Sequence, residues 1–167
     1  MSERLPAPGG LDLVQSLVNT LDIESGADSL DGVEGRAGFG IALGELESAR
    51  ELRESLRAAL LAHAGHPPHR AVTPLGELLA AAPLVVTVDA GDGSAGLAPA
   101  DADPLLSRVA AAVGQALVEG TWTRLKACEA ADCHWAYYDR SPAGRGRWCS
   151  MQVCGARAKM RRYRAKD

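Results

Sequence analysis

Apolar residues recur with helical spacing in three stretches of the chain. Across residues 43–63 they return every three or four positions with Glu and Arg between them, which predicts a long amphipathic helix. Residues 11–21 predict a shorter helix, and the apolar stripe after Asp103-Pro104 predicts a third, which Gly120 ends. These stretches indicate a mainly helical N-terminal part.

A β-branched run interrupts the helical pattern. The sequence LVVTV at residues 84–88 predicts a strand, and Gly91-Asp92-Gly93 predicts the turn that follows it. A second strand is predicted near residues 96–98. The N-terminal part therefore contains a small β-hairpin among its helices.

Glycine and proline mark the connections between these elements. Residues 22–40 are rich in Gly, Asp and Ser and predict a loop, while Pro67-Pro68 break the chain after the long helix. Thr73 and Pro74 predict an N-cap and the first position of a helix that runs to about residue 81. Three histidines surround the proline break, which predicts an exposed loop, with a second metal site as the alternative: His63, His66 and His69.

Charge divides the chain into two unequal parts. Residues 121–167 hold 11 basic and 4 acidic residues, whereas residues 1–120 hold 7 basic and 17 acidic ones. The net charge of −3 therefore conceals a basic tail of +7 and an acidic remainder of −10. Such asymmetry suggests a polyanionic partner such as nucleic acid. The alternative is that the basic tail docks on the acidic part of the same chain.

Four cysteines lie in the basic tail, with the spacing C-x4-C-x15-C-x4-C. Two close pairs separated by a short loop predict four thiolate ligands around one tetrahedral zinc ion. A tail of this length cannot bury an independent core and needs a bound metal to stabilise its fold. The predicted Zn²⁺ ligands are Cys128, Cys133, Cys149 and Cys154.

The tail also predicts the elements of a small finger. Residues 122–126 and 134–138 read as strands, the sequence DRSPAGRG at 139–146 reads as a hairpin loop, and Arg147-Trp148 would return as the second strand of that hairpin. A helix that begins at the second cysteine pair and runs to about Lys166 completes a treble-clef-like order. Six of the seven aromatic residues lie in this tail and are expected to pack around the metal.

The terminal helix has one narrow apolar stripe, formed by Ala156, Met160 and Tyr163, which is expected to pack on the finger. Cations flank the stripe on both sides, an arrangement that suits a groove or a phosphate backbone. A solvated helix with a basic C-terminal end is the alternative. The predicted nucleic-acid contacts are Arg145, Arg147, Arg157, Lys159, Arg161, Arg162, Arg164 and Lys166.

No targeting or membrane segment is visible in the sequence. The N-terminal residues lack the apolar core of a secretory signal, and no apolar run is long enough to span a bilayer. We therefore expect a cytoplasmic protein, in which paired cysteines are metal ligands rather than disulfides.

Three runs of the tail resemble the CGNR zinc-finger family, whose signature reads roughly D-x-S, RRWCSM and CGNRxK. Here they are DRS at 139–141, RWCSM at 147–151 and CGARAK at 154–159. The likeness covers nearly all of residues 125–165 and retains every cysteine. Gly146 stands where the family has the first Arg of the RR pair, and Ala156 stands where it has Asn.

The N-terminal part is similar to the ABATE domain that usually precedes this finger. The resemblance rests on Leu11-Asp12-Leu13, on Val18-Asn19-Thr20 and on the order of the helices. It implies a bacterial, stress-linked transcription regulator with an ABATE-like helical domain at 1–120 and a CGNR-type zinc finger at 121–167. The expected fold class is α+β, predominantly α.

Three functional hypotheses follow. The first is a regulator that binds double-stranded DNA; because one finger reads few base pairs, it favours a homodimer, and the N-terminal domain is a candidate for binding a small-molecule effector. The second is a finger that docks on a protein or on RNA. The third is a small-molecule-binding domain with a purely structural finger. Four thiolates leave zinc no open coordination position, so we expect no enzymatic activity.

Overall fold

Six helices carry most of the fold in the computed structural model, which describes residues 5–101 and 104–165. Helical segments of all types cover 46% of the described residues, so the fold is α+β and predominantly α. The helices are α1 (Leu11–Val18), α2 (Val33–Ala37), α3 (Leu46–His63), α4 (Leu75–Leu79), α5 (Leu105–Val118) and α6 (Ala156–Arg164).

Two short antiparallel strand pairs accompany the helices. Strands β1 (Leu84–Val88) and β2 (Ala95–Pro99) form the predicted hairpin, with Val86 opposite Leu97. Strands β3 (Leu125–Ala127) and β4 (Ala136–Tyr138) form the second pair, with Lys126 opposite Tyr137. The first pair packs on α5, and the second pair packs on α1 and α3.

One apolar core joins the helices to the second strand pair. Leucines and valines of α1, α3 and α5 fill its centre, and Leu125, Ala127 and Ala136 of β3 and β4 belong to the same cluster, each fully buried. Gly10 lets α1 begin close against α5, since a Cβ there would lie 2.9 Å from the Cβ of Ala112. The domain boundary at Gly120 remains a prediction. The apolar core contains residues from both sides of this position.

The side chain of Asn19, just after α1, binds the backbone of β4. Its Nδ2 donates to the carbonyl of Ala136 at 3.0 Å, and its Oδ1 accepts from the N–H of Ala136 at 2.7 Å. Asn19 thus replaces a neighbouring strand at the edge of β4. Its neighbour Thr20 donates to the carbonyl of Leu17 at 2.8 Å and accepts from Arg53 at 3.1 Å. Asn19 therefore fastens the strand pair to the end of α1, and Thr20 fastens that end to α3.

A buried charged network occupies the middle of α3. Arg57 is fully buried and donates to Glu54 at 3.1 Å, to the carbonyl of Val18 at 2.9 Å and to the carbonyl of His134 at 3.3 Å. Glu54 also accepts from Arg53 at 2.8 Å. Burial would raise the pKa of Glu54, but the two arginines outweigh it and hold this pKa below its ordinary value. The carboxylate therefore stays ionised.

Several local predictions were wrong. Residues 22–40 are not only loop, because they contain a 3₁₀ helix at Ser29–Asp31 and α2. Thr73 does not cap α4: its hydroxyl binds Glu51, and Pro74 holds the cap position. Residues 122–126 are not one strand, since Trp122–Arg124 form a 3₁₀ helix before β3. Of the predicted start of α5, Asp103 lies outside the described residues.

The predicted finger hairpin also has different partners. β4 pairs with β3 rather than with Arg147-Trp148, and Arg147-Trp148 are not in a strand. The first cysteine pair therefore lies in the connection between β3 and β4. The DRSPAGRG segment is a long irregular loop that leads to the second cysteine pair.

Asp139 organises this loop from inside. Its carboxylate accepts from the N–H of Ser141 at 3.0 Å, from the N–H of Gly146 at 2.7 Å and from the buried ammonium of Lys126 at 2.9 Å. A Cβ at Gly146 would lie 2.9 Å from this carboxylate, so the departure from the family's Arg permits the close approach. Burial would raise the pKa of Asp139, but these hydrogen bonds outweigh it and lower the pKa far below its ordinary value.

None of the helices described here is both long enough and apolar enough to cross a membrane.

The Asn19 contact can be tested by Asn19→Ala. The substitution leaves the N–H and carbonyl of Ala136 without their side-chain partner, which should lower the free energy of unfolding by about 1–3 kcal/mol. Ser16→Ala, at an exposed position of the same helix, is the control and should change it by less than about 0.5 kcal/mol. Urea titration of both variants measures the difference, and equal midpoints would contradict the role of Asn19.

The Asp139 contact can be tested by Asp139→Asn over a range of pH. At pH 7 the variant leaves Lys126 buried without its counter-ion and should lose about 3–5 kcal/mol of stability. Because the folded pKa of Asp139 is depressed, its stabilisation is present above the unfolded pKa of about 3.8 and is lost as pH falls through the folded pKa. The difference in the free energy of unfolding between wild type and variant should therefore decrease only below about pH 3.8. Chemical denaturation at several pH values measures it, and a gap that is independent of pH down to pH 2 would contradict the assignment.

Candidate metal centre and basic helix

The four cysteine thiols converge on one point. Their sulfur atoms all lie within 4.8 Å of one another, and no other group of three or more potential ligands is found among the described residues. Three of the four cysteines are buried, and Cys149 is half-buried. The geometry brings together the ligand set that the spacing predicts.

The distances between the sulfur atoms fit a tetrahedral ion. Cys133 Sγ lies 3.6 Å from Cys149 Sγ, which lies 3.7 Å from Cys154 Sγ. A zinc ion with Zn–S bonds of about 2.3 Å requires sulfur atoms roughly 3.8 Å apart. A disulfide would need about 2.05 Å, and all four thiols are free. The arrangement therefore matches a metal site rather than a pair of disulfides.

The thiols affect one another's ionisation strongly. Hydrogen bonds from Cys133 and Cys149 lower the pKa of Cys128 to about 2. Hydrogen bonding to Cys128 raises the pKa of Cys133 to about 12, and hydrogen bonding to Cys128 and Cys133 raises the pKa of Cys149. A thiolate in this cluster therefore disfavours ionisation of the neighbouring thiols. A divalent cation at the centre would reverse this effect and favour four thiolates.

Two turns present the sulfur atoms. In the first, the N–H groups of Cys133 and His134 both donate to the carbonyl of Ala130, at 2.9 and 3.2 Å, and His134 has a positive φ of 49°. In the second, Ser150 caps the π-helical turn Met151–Gly155 by accepting from the N–H of Val153 at 3.3 Å. This turn carries Cys154 and leads directly into α6.

Arg147 ties the two turns together. Its carbonyl accepts from the N–H of Glu129 at 3.0 Å, and its guanidinium forms a bidentate pair with the Glu129 carboxylate. The guanidinium also lies over the Trp148 ring, 5.3 Å from its centroid. Arg147, a predicted nucleic-acid contact, thus has a structural partner inside the finger.

Only part of the aromatic set surrounds the cysteines. Trp135 and Trp148 pack against the thiol cluster. Trp122 and Tyr138 pack against the main core instead, and Tyr163 is exposed. The expectation that six aromatics pack around the metal was therefore wrong, because the finger shares the core of the helical domain.

The three histidines of the proline break all contact the finger segment. His63 Nδ1 lies 2.7 Å from the carbonyl of Leu125, and His66 Nε2 lies 3.7 Å from Glu129. His69 Nε2 lies 2.9 Å from Glu54, and its ring lies 5.8 Å from that of His134. Burial lowers the pKa of His63 and of His69, which keeps both neutral at pH 7. The segment is a loop whose Gly65, Pro67 and Pro68 are exposed, as predicted, while its three half-buried histidines turn towards the finger segment and the buried network of α3.

The apolar stripe of α6 does not pack on the finger as the sequence predicts. Met160 is 53% and Tyr163 is 70% exposed, Ala156 is exposed, and only Ala158 on the opposite side is half-buried. The side of the helix that carries Ala158 faces the finger, so the ridge Ala156-Met160-Tyr163 on the other side faces outward. We call this the outward ridge of α6.

The predicted nucleic-acid contacts divide into paired and unpaired groups, and Arg147, which pairs with Glu129, belongs to the paired group. Arg157 pairs with Glu24 of the helical domain at 3.0 Å, and Arg161 lies 3.6 Å from Asp132 of the first cysteine turn. The other described members of the set are exposed, with no side-chain ion pair to the described part of the chain: Arg145, Lys159, Arg162 and Arg164. Lys166 lies outside the described residues.

Comparison with protein families gives two matches. The CGNR zinc-finger family model matches residues 124–167. The ABATE family model, described as "Putative stress-induced transcription regulator", matches residues 11–120. No curated protein matches the chain significantly.

The two matches agree with the geometry. The ABATE match covers α1 to α5 and the β1–β2 hairpin, and the CGNR match covers all four converging cysteines and α6. The chain therefore belongs to the ABATE family and carries a CGNR zinc finger after its ABATE domain.

Proposed function

We propose that this protein is a bacterial transcription regulator that binds double-stranded DNA through α6 and its zinc finger. The observation that carries the proposal is the exposure of α6: none of its residues is buried, and it bears five exposed cations and no acid. Such a helix offers charge to phosphates at little desolvation cost. The regulator family supports the same conclusion.

Zinc is the metal that this ligand set supports best. Four thiolates at tetrahedral spacing are a structural zinc set, and the CGNR finger is a zinc family. Cys128, Cys133, Cys149 and Cys154 would hold the ion. Bound zinc would supply folding energy to the second cysteine turn and would orient α6. With all four positions taken by protein sulfur, we propose no catalytic role for it.

A protein partner is the second candidate, and the outward ridge of α6 favours it. Met160 lines a shallow groove with Val153, Ala156 and three arginines, and Met160 and Tyr163 are 53% and 70% exposed. Amphipathic faces of this kind also serve protein contacts. A homodimer stays a prediction that follows from the small footprint of one finger.

The metal proposal predicts one zinc ion per chain. Cys149→Ser should lose the ion and disorder the second cysteine turn and α6, because metal binding supplies their folding energy. Strands β3 and β4 should remain protected, since Leu125, Ala127 and Ala136 lie in the main core. Elemental analysis measures the zinc, and hydrogen exchange measures the order of each segment.

The matched control is Ala131→Ser, an exposed position in the first cysteine turn. It introduces a hydroxyl without removing a ligand and should retain a full equivalent of zinc. A wild-type protein purified without zinc, or a Cys149→Ser variant in which α6 stays protected, would contradict the proposal.

The DNA proposal predicts a salt dependence that belongs to α6. Each phosphate contact contributes roughly 0.9 to the slope of log K against log salt. Arg162→Ala with Arg164→Ala should therefore flatten the slope by about two and leave zinc content and fold unchanged, because neither side chain is buried or paired. Titration of a random duplex at several salt concentrations measures the slope.

Two further variants sharpen this test. Arg70→Ala removes a cation outside α6 whose side chain is 58% exposed, and it should leave the slope unchanged. Glu24→Gln removes the partner of Arg157 and should tighten binding if that arginine then reaches a phosphate. If the Arg162/Arg164 double variant retains the wild-type slope, α6 is not the contact surface. Tighter binding of single-stranded RNA than of duplex would favour RNA, which the second hypothesis from the sequence names as a partner beside protein.

A further inference from the structure

An apolar cavity of the helical domain lies between α3, α4 and the start of α5. Its volume is about 400 Å³, within the range of small-molecule sites. Ile41 and Leu52 are buried at its base, whereas Leu78, Leu105 and Leu106 are half-buried. Three helices thus expose apolar side chains to a space that none of them fills.

The mouth of this cavity is acidic. Glu45, Glu51 and Glu77 line it, and no Arg, Lys or His does. Glu45 accepts from the N–H of Ala42 at 2.9 Å, and Glu51 accepts from a threonine hydroxyl at 2.5 Å. None of these three carboxylates has an ion-pair partner in the described ranges of the chain, although other glutamates of α3 have one.

We propose that this cavity binds a small lipophilic cation, such as an amine with an aromatic or aliphatic body. The leucine-lined base would take the apolar body, and the unpaired carboxylates at the mouth would take the ammonium group. A carboxylate ligand of the same shape would meet three like charges. The inference goes beyond the proposed function, because ligand binding to the helical domain is measured without any nucleic acid.

The charge preference follows from the lining rather than from the cavity volume. An apolar pocket alone would bind an alcohol and an amine of equal size with similar affinity. One carboxylate about 4 Å from an ammonium group favours the amine by about fivefold, even with the permittivity of water. The test therefore compares ligands that differ only in the charge of one end.

Three probes provide that comparison on the full-length protein with its zinc: 4-phenylbutylamine, 4-phenylbutanol and 4-phenylbutyrate. Ligand-observed NMR titration should give saturable binding of the amine, at least about fivefold tighter than of the alcohol, with the carboxylate weakest. Glu77→Gln should weaken amine binding by about fivefold and leave alcohol binding unchanged. Glu34→Gln, which removes an exposed carboxylate from α2, is the matched control and should change neither.

A blocking variant tests the location. Ala81 lines the cavity and is exposed, so Ala81→Trp should fill the space and abolish binding of the amine and the alcohol together. If that variant fails to fold, Ser48→Trp, at another exposed lining position, replaces it. Equal affinities for the three probes, binding of none of them, or undiminished binding by the folded tryptophan variant would each overturn the proposal.

Discussion

A single buried guanidinium joins the parts of this molecule. Arg57 projects from α3 and binds the last carbonyl of α1, the carbonyl of His134 beside the first cysteine turn, and Glu54. Burying these charges costs several kcal/mol per ion, so the network is maintained only while every donor and acceptor has a partner. The position of the first cysteine turn therefore depends on α3 as well as on the metal.

This dependence explains why the finger is not a separate body. β3 and β4 place their small apolar residues in the main core, and Asn19 completes the hydrogen bonding of β4. Only the second cysteine turn and α6 extend beyond that support. A bound metal would therefore stabilise the two cysteine turns unequally. The core already holds the first turn, whereas the second turn depends on zinc and on the ion pair of Arg147.

Periodicity and spacing predicted the elements that depend on local chemistry. The long helix, the β1–β2 hairpin and each cysteine pair follow from signals within a few residues of one another, and the convergence of the two pairs follows from the four ligands that zinc requires. The partners of each surface could not be predicted in this way. The stripe Ala156-Met160-Tyr163 shows that one face of α6 is apolar, but it does not show whether another element covers that face. In the structure this face is exposed. The position of Arg57 among the apolar positions of a helix signals a buried cation. Its partner His134 could not be predicted from the sequence, because it lies 77 residues away.

The position of Ala156 on α6 indicates what the replacement of the family's Asn by Ala changes. Because this residue lies on the outward ridge, the Asn of the family signature would project towards a partner rather than into the finger. An amide there can hydrogen-bond to a base edge, and a methyl group cannot. The ridge in this chain instead offers Met160 and Tyr163 between cations. In the proposed DNA-binding role, such a surface would contact phosphates through charge, and it would contact apolar groups of the DNA without directional hydrogen bonds. Discrimination between sequences would then have to come from residues outside this ridge or from a second copy of the chain.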